Sequence, residues 1–255
     1  MTSLPSIAEL RTKTQPPGLL ERRSGEHWAG RLYMRRISPY ATRVLAAWGL
    51  APNQVTGLMI VAGIAAGFAV LLPGLPGALL AAVLVQVYLL LDCSDGELAR
   101  WTGKTSVTGK YLDRVGHYLC EAALLVGLGF RAAELEANGY AVLGLAAALG
   151  AVLIKSETDL VDIARVQSGL PAVTEDAAEP RSPRLASLRR VALVLKFYRI
   201  ILAIELSLII VLAAVVDALT DSLVATQVLT VTVAVVAAVQ VVLHLVSVLV
   251  SRRLG

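Results

Sequence analysis

The sequence predicts an all-α integral membrane protein, six transmembrane helices preceded by an N-terminal interfacial amphipathic helix. Three observations carry this. Hydrophobic residues make up 56% of the 255 and charged residues 16%, against about 25% charged in soluble domains. Between Val55 and Leu91 no residue is charged. Of the 23 Lys and Arg residues, all but Arg131 fall in segments that six successive spans would leave on one side.

The elements follow in order. In residues 18–50, Arg22, Arg23, Arg31, Arg35, Arg36 and Arg43 alternate with Leu32, Tyr33, Ile37, Tyr40, Val44, Leu45 and Trp48. That pattern suits one or two helices lying on a membrane surface of anionic lipids. The uncharged run after Val55 is too long for one span of about 20 residues. Pro73, Gly74, Pro76 and Gly77 interrupt it, so it divides into helices over 55–72 and 78–98. Further spans are expected over 110–130, 139–157, 198–216 and 223–250. Gly169, Pro171, Pro180, Ser182 and Pro183 mark residues 166–190 as a loop. The expected organisation is a cytoplasmic and interfacial segment 1–54, a transmembrane catalytic domain 55–250 and a cytoplasmic tail 251–255. No short apolar core stands behind a basic start, so no cleaved leader is expected.

Charge placement also sets function classes aside. The formal charge is +4 and the isoelectric point about 9.2. Cytoplasmic loops of membrane proteins collect Lys and Arg, which accounts for the basic balance without nucleic acid and predicts a multi-pass protein of the cell membrane with both termini cytoplasmic. The two cysteines, Cys93 and Cys120, give no disulfide framework.

The chemistry is expected in Asp92-Cys93-Ser94-Asp95-Gly96-Glu97-Leu98-Ala99-Arg100, followed by Gly109, Asp113 and His117. Asp92 and Asp95 are three apart on one helix, Asp113 and His117 four apart on the next, so each pair shares a face. A turn at Gly103 would bring the faces together. Carboxylates converging at a membrane edge disfavour one another's ionisation. A divalent cation resolves the conflict, and oxygen ligands favour Mg²⁺ or Mn²⁺; pairing with Arg100, Lys110 and Arg114 is the alternative. The small residues Gly96, Ala99 and Gly109 admit either a ligand or a packed helix.

The pattern Asp-x2-Asp-Gly-x2-Ala-Arg-x8-Gly-x3-Asp-x3-(acid) resembles the signature of the CDP-alcohol phosphotransferase (CDP-alcohol phosphatidyltransferase) family. Pro52-Asn53-Gln54-Val55-Thr56 looks like the element before the first span in many members. The resemblance covers about residues 30–250. It implies a membrane transferase that moves a phosphoalcohol group, such as phosphatidyl, from a CDP-linked donor to a hydroxyl-bearing acceptor and releases CMP, in phospholipid or related lipid synthesis. It implies two metal ions on Asp92, Asp95 and Asp113, and a CDP site lined by Gly96, Ala99, Arg100 and Gly109 with Asn53 and Thr56 nearby. A homodimer is implied as well.

The last acid of the motif is replaced by His117. A histidine can take a proton near neutral pH or ligate a metal, so His117 is a candidate for both roles. Glu121, four residues on, is a candidate to orient its ring, as the carboxylate does in acid–base triads. Two other readings stay open: a catalytically impaired member that binds CDP-lipid, and a membrane transporter. Glu205, inside the fifth span, would shape an acceptor pocket or pair with Arg199 or Lys196. Lys155, Glu157, Asp159 and Asp162 form a polar helix end where an acceptor could bind. His244 reads as a hydrogen-bonded packing residue.

Overall fold

A computed structural model describes residues 5–16, 27–171, 197–251 and 253–254. Arg22, Arg23, Lys196 and most of the loop expected over 166–190 lie outside the described residues. The elements are α1 (Ile7–Thr14), a π-helical turn (Gly30–Met34) that runs into α2 (Arg35–Ala47), α3 (Pro52–Val70), α4 (Gly74–Thr102), α5 (Val107–Ala132), α6 (Gly139–Gln167), a 3-10 turn (Phe197–Ile201), α7 (Ala203–Thr220) and α8 (Val224–Val250). No strand occurs among the described residues.

Five of these helices, α3, α4, α6, α7 and α8, are long and apolar enough to cross a membrane. Six spans were expected. The third, α5, is 26 residues long but carries Lys110, Asp113, Arg114, His117, Glu121 and Arg131. Its polar content places it below the apolar standard the others meet.

Two compact units divide the chain, Met1–Ala66 with Ala81–Cys120 and Gly67–Leu80 with Glu121–Gly255. In the first unit, α1 opens with a reciprocal cap. The Ser6 hydroxyl accepts from the Glu9 backbone N–H at 3.2 Å, and the Glu9 carboxylate accepts from the Ser6 backbone N–H at 2.7 Å. Donation from the Ser6 hydroxyl at 2.7 Å, and then from its backbone N–H, holds the Glu9 carboxyl below its ordinary range. Along α2 the side chains of Ser38, Thr42 and Leu45 are buried. Ile37, Tyr40, Val44 and Trp48 form an exposed apolar stripe with Arg36 and Arg43 also exposed, the surface expected of an interfacial helix. Pro52 opens α3, where its missing N–H costs nothing.

In the second unit the helices pack through small residues, as membrane helices do when the lipid supplies no hydrophobic driving force. A Cβ on Gly129 would stand 2.6 Å from the Cα of Gly144, and one on Gly150 would stand 3.0 Å from the Ala237 Cβ. Arg131 is 5% exposed and donates to the carbonyls of Leu72 at 3.1 Å and Gly74 at 2.9 Å. There it satisfies carbonyls just past the C-terminal end of α3. Asp217, also buried, accepts from the backbone N–H groups of Ala225 and Thr226 at the start of α8.

Gly144→Val should cost at least about 1–3 kcal/mol, because the α5 and α6 backbones must part. The thermal midpoint in detergent measures this. Gly139→Ala, where a Cβ would meet nothing within 4 Å, should leave that midpoint unchanged.

Candidate metal centre

The centre lies in the first unit, on two helices joined by a tight turn. Gly103 takes φ +68° there, a conformation that glycine adopts without steric cost. The Lys104 N–H closes on the Ala99 carbonyl at 3.0 Å. Ser106 then caps α5, its hydroxyl accepting from the Gly109 N–H at 2.9 Å.

This hairpin brings Asp92, Asp113 and His117 together. His117 Nε2 is 3.4 Å from Asp92 Oδ1 and 3.6 Å from Asp113 Oδ1. Each of the three residues offers a ligand atom, and these atoms lie within 4.8 Å of one another. An ion with ligands at about 2 Å spaces its donor atoms no more than about 4 Å apart. The cluster therefore fits one divalent cation after a small closure of side chains. Two carboxylates and an imidazole suit a hard or borderline ion.

His117 is held from its other side by Tyr88. The phenol oxygen lies 2.5 Å from Nδ1, and the rings meet edge-on with centroids 5.8 Å apart. The orienting contact at Nδ1 is thus Tyr88's rather than one from Glu121. Glu121 is buried and pairs with Lys155 at 3.1 Å within the second unit. The i,i+4 spacing permitted a contact between His117 and Glu121, but neighbouring helices supply other partners to both.

Asp95 stands apart from the three. It is 8% exposed and accepts from the Thr56 hydroxyl at 2.6 Å. Thr56 thereby acts on a motif acid. Asn53 lies beside Gly109: a Cβ on Gly109 would stand 2.9 Å from Asn53 Oδ1. The Arg100 guanidinium covers Gly96, where a Cβ would stand 3.2 Å from one terminal nitrogen. Gly96, Ala99 and Gly109 are each partly exposed.

One residue in this stretch carried no signal in the sequence. Glu97 is completely buried. It accepts from the Ser38 hydroxyl at 2.5 Å, the Thr42 hydroxyl at 2.7 Å and the Gln15 amide at 2.7 Å, and Arg35 stands 3.5 Å away. A buried carboxylate is tolerated only when so partnered. Among the remaining polar candidates, Glu205 pairs with Arg199 at 2.8 Å, and His244 Nε2 lies 3.1 Å from the Thr158 hydroxyl.

Fold and site together define a multi-pass helical membrane protein with an acidic, cation-binding type of cluster on a helical hairpin. Residues 49–215 match the sequence profile of the CDP-alcohol phosphatidyltransferases, and the chain belongs to that family. Among characterised relatives, the bifunctional IPC transferase and DIPP synthase of Thermococcus kodakarensis is 31% identical over 136 residues, 53% of this chain and 30% of that protein. The archaetidylinositol phosphate synthase of Pyrococcus horikoshii is 35% identical over 86 residues, 34% of this chain and 44% of that one. The matches thus span less than half the length of either relative. Among solved structures, Mycobacterium tuberculosis phosphatidylinositol phosphate synthase with CDP-DAG bound superposes with a TM-score of 0.56 at 21% identity, covering 85% of this chain and 95% of that one. Its apo form gives a TM-score of 0.53. At that identity the likeness concerns the fold.

Tyr88→Phe removes the contact that orients the imidazole. Loss of such a supporting contact typically weakens metal affinity 10–100-fold. Mn²⁺ titration calorimetry on the detergent-solubilised protein should show at least about a tenfold rise in Kd.

Proposed function

We propose that this protein transfers a phosphatidyl-type group from a CDP-linked lipid donor to the hydroxyl of a polar acceptor and releases CMP. The observation that carries the reading is the convergence of Asp92, Asp113 and His117 on the hairpin that also bears the family's Gly96, Ala99, Arg100 and Gly109. The reaction needs negative phosphate charge neutralised at a membrane face, and this cluster is suited to that task.

Asp92, Asp113 and His117 would hold the cation, with Asp95 one helical turn away and tethered by Thr56. A bound Mg²⁺ or Mn²⁺ would neutralise the donor's pyrophosphate and polarise the phosphorus under attack. In the transfer, the acceptor oxygen bonds to the phosphorus of the lipid phosphate. The pyrophosphate P–O bond breaks, CMP leaves with that oxygen, and the proton of the acceptor hydroxyl is released to solvent. Gly96 and Gly109 let Arg100 and Asn53 approach the helix backbones closely, and Arg100 supplies a positive fork for a phosphate.

His117 Nε2 has a single lone pair, so it serves as ligand or as proton acceptor but not both at once. Its 3.4 and 3.6 Å distances to the two carboxylates favour the ligand role. Tyr88 then accepts from Nδ1–H and leaves Nε2 free to ligate. His117→Asp, which restores an oxygen ligand at this position, should retain activity, whereas His117→Ala should lose most of it.

By the same reading α5 makes a sixth span, and the positive-inside distribution supports a cytoplasmic site and cytoplasmic termini. The donor is CDP-diacylglycerol or a related CDP-lipid. Inositol phosphate, glycerol phosphate and serine are the acceptors to test.

The experiment measures CMP released from CDP-diacylglycerol by purified protein, with each acceptor, in Mg²⁺ or Mn²⁺. Release should require both acceptor and metal and stop with EDTA. Asp92→Asn and Asp113→Asn should each lower it by at least about 100-fold, the scale of losing a principal electrostatic contact. Unchanged turnover in Asp113→Asn would refute the proposal.

A further inference from the structure

We infer that the amino-terminal segment, residues 6–16, is a positioning element of the nucleotide site and sets the donor affinity by clamping Arg100. The inference rests on the proposed function and extends it to a part of the chain that precedes the family match, which begins at residue 49.

The segment fastens to the last turns of α4, the helix that carries Asp92 and Asp95. The backbone carbonyl of Thr14 accepts from Arg100 Nε at 2.6 Å. Lys13 Nζ donates to the Trp101 carbonyl at 2.8 Å and stands 4.7 Å over the indole ring. The Gln15 amide donates to the buried Glu97 carboxylate and to the Arg35 carbonyl, at 2.7 and 2.8 Å. Leu10 and Thr14 are completely buried, so α1 docks through packing as well as polar contacts. Three residues of one and a half helical turns, Glu97, Arg100 and Trp101, are therefore each held by the same short segment.

The consequence falls on Arg100. An arginine side chain free in solution loses much of its rotamer freedom when it is fixed. With Nε engaged, that loss is taken before any ligand arrives. The two terminal amino groups then remain as a pair, lying over Gly96. That edge of a guanidinium matches a phosphate bidentately. Lys13 adds a further restraint, because a cation at a helix C-terminus meets its exposed carbonyls favourably. A segment that merely covered the protein would have no reason to bond to Arg100 through Nε.

The test compares the full chain with a variant lacking residues 2–16 and with Lys13→Ala/Gln15→Ala, which leaves the buried Leu10 in place. Direct CDP binding and steady-state kinetics with CDP-diacylglycerol are both read. Deletion should raise the Kd for CDP and the donor KM about tenfold, with kcat changed less than about twofold; the double variant should do so about threefold. The deletion should add nothing in an Arg100→Lys background, since the two changes act through one contact. A synthetic peptide of residues 1–16 should restore affinity to the deleted protein. Unchanged CDP affinity in both variants, or an effect that multiplies with that of Arg100→Lys, would overturn the inference. If deletion prevents folding, the double variant decides by its CDP affinity. A full-length protein that binds CDP but transfers nothing to any acceptor would sink the transfer reading while leaving the binding comparison intact.

Discussion

The structure turns on bringing like charges together where α4 and α5 meet. Asp92 and Asp113 repel. Their approach is arranged by a hairpin whose turn requires Gly103 and by helix contacts that admit no larger side chain. A Cβ on Gly63 would stand 2.8 Å from the Cys120 Cβ, so α3 and α5 run close within the first unit. His117 inserts between the two acids, and Tyr88 holds its far nitrogen. Such a group is electrostatically incomplete by itself, and its donor set suits a divalent cation.

Around this cluster several polar groups find partners on different elements. Thr56 takes Asp95, while Ser38, Thr42 and Gln15 share Glu97. The two acids on either side of Gly96 thus tie α4 to α3, α2 and the amino-terminal segment. Shared networks of this kind rigidify the elements they join. The interfacial helix α2 accordingly has two faces. One carries hydroxyls to Glu97, and the other presents Ile37, Tyr40, Val44 and Trp48 outward.

Much of this was legible in the sequence, and the remainder has physical reasons for being hidden. The spans could be read because uninterrupted apolar runs leave few alternatives, and the Pro73–Gly77 stretch could be read as their first break. The pair Asp113 and His117 could be read because residues four apart share a helical face, whereas Asp92 joins them without Asp95, its neighbour at three. The partners of those carboxylates could not. Tyr88 sits four residues before Asp92 in a stretch that otherwise reads as plain membrane helix. Glu97 is one of several charges near a helix end, and only tertiary contacts mark it as buried. Helix α1 is eight residues long and ends at prolines, too short to show a period of its own. The expected pairing of His117 with Glu121 rested on helical spacing, which states what can meet on one helix and nothing about what neighbouring helices bring. The same limit applies to Glu205, for which Arg199 was one of several partners open in the sequence.

The central claim is that Asp92, Asp113 and His117 jointly bind one divalent cation. Anomalous scattering from crystals of the protein grown with Mn²⁺ tests it most directly. The account predicts a single strong peak at about 2 Å from an oxygen of each aspartate and from His117 Nε2. A peak held by other residues, or none at the hairpin with Mn²⁺ at saturating concentration, would contradict it.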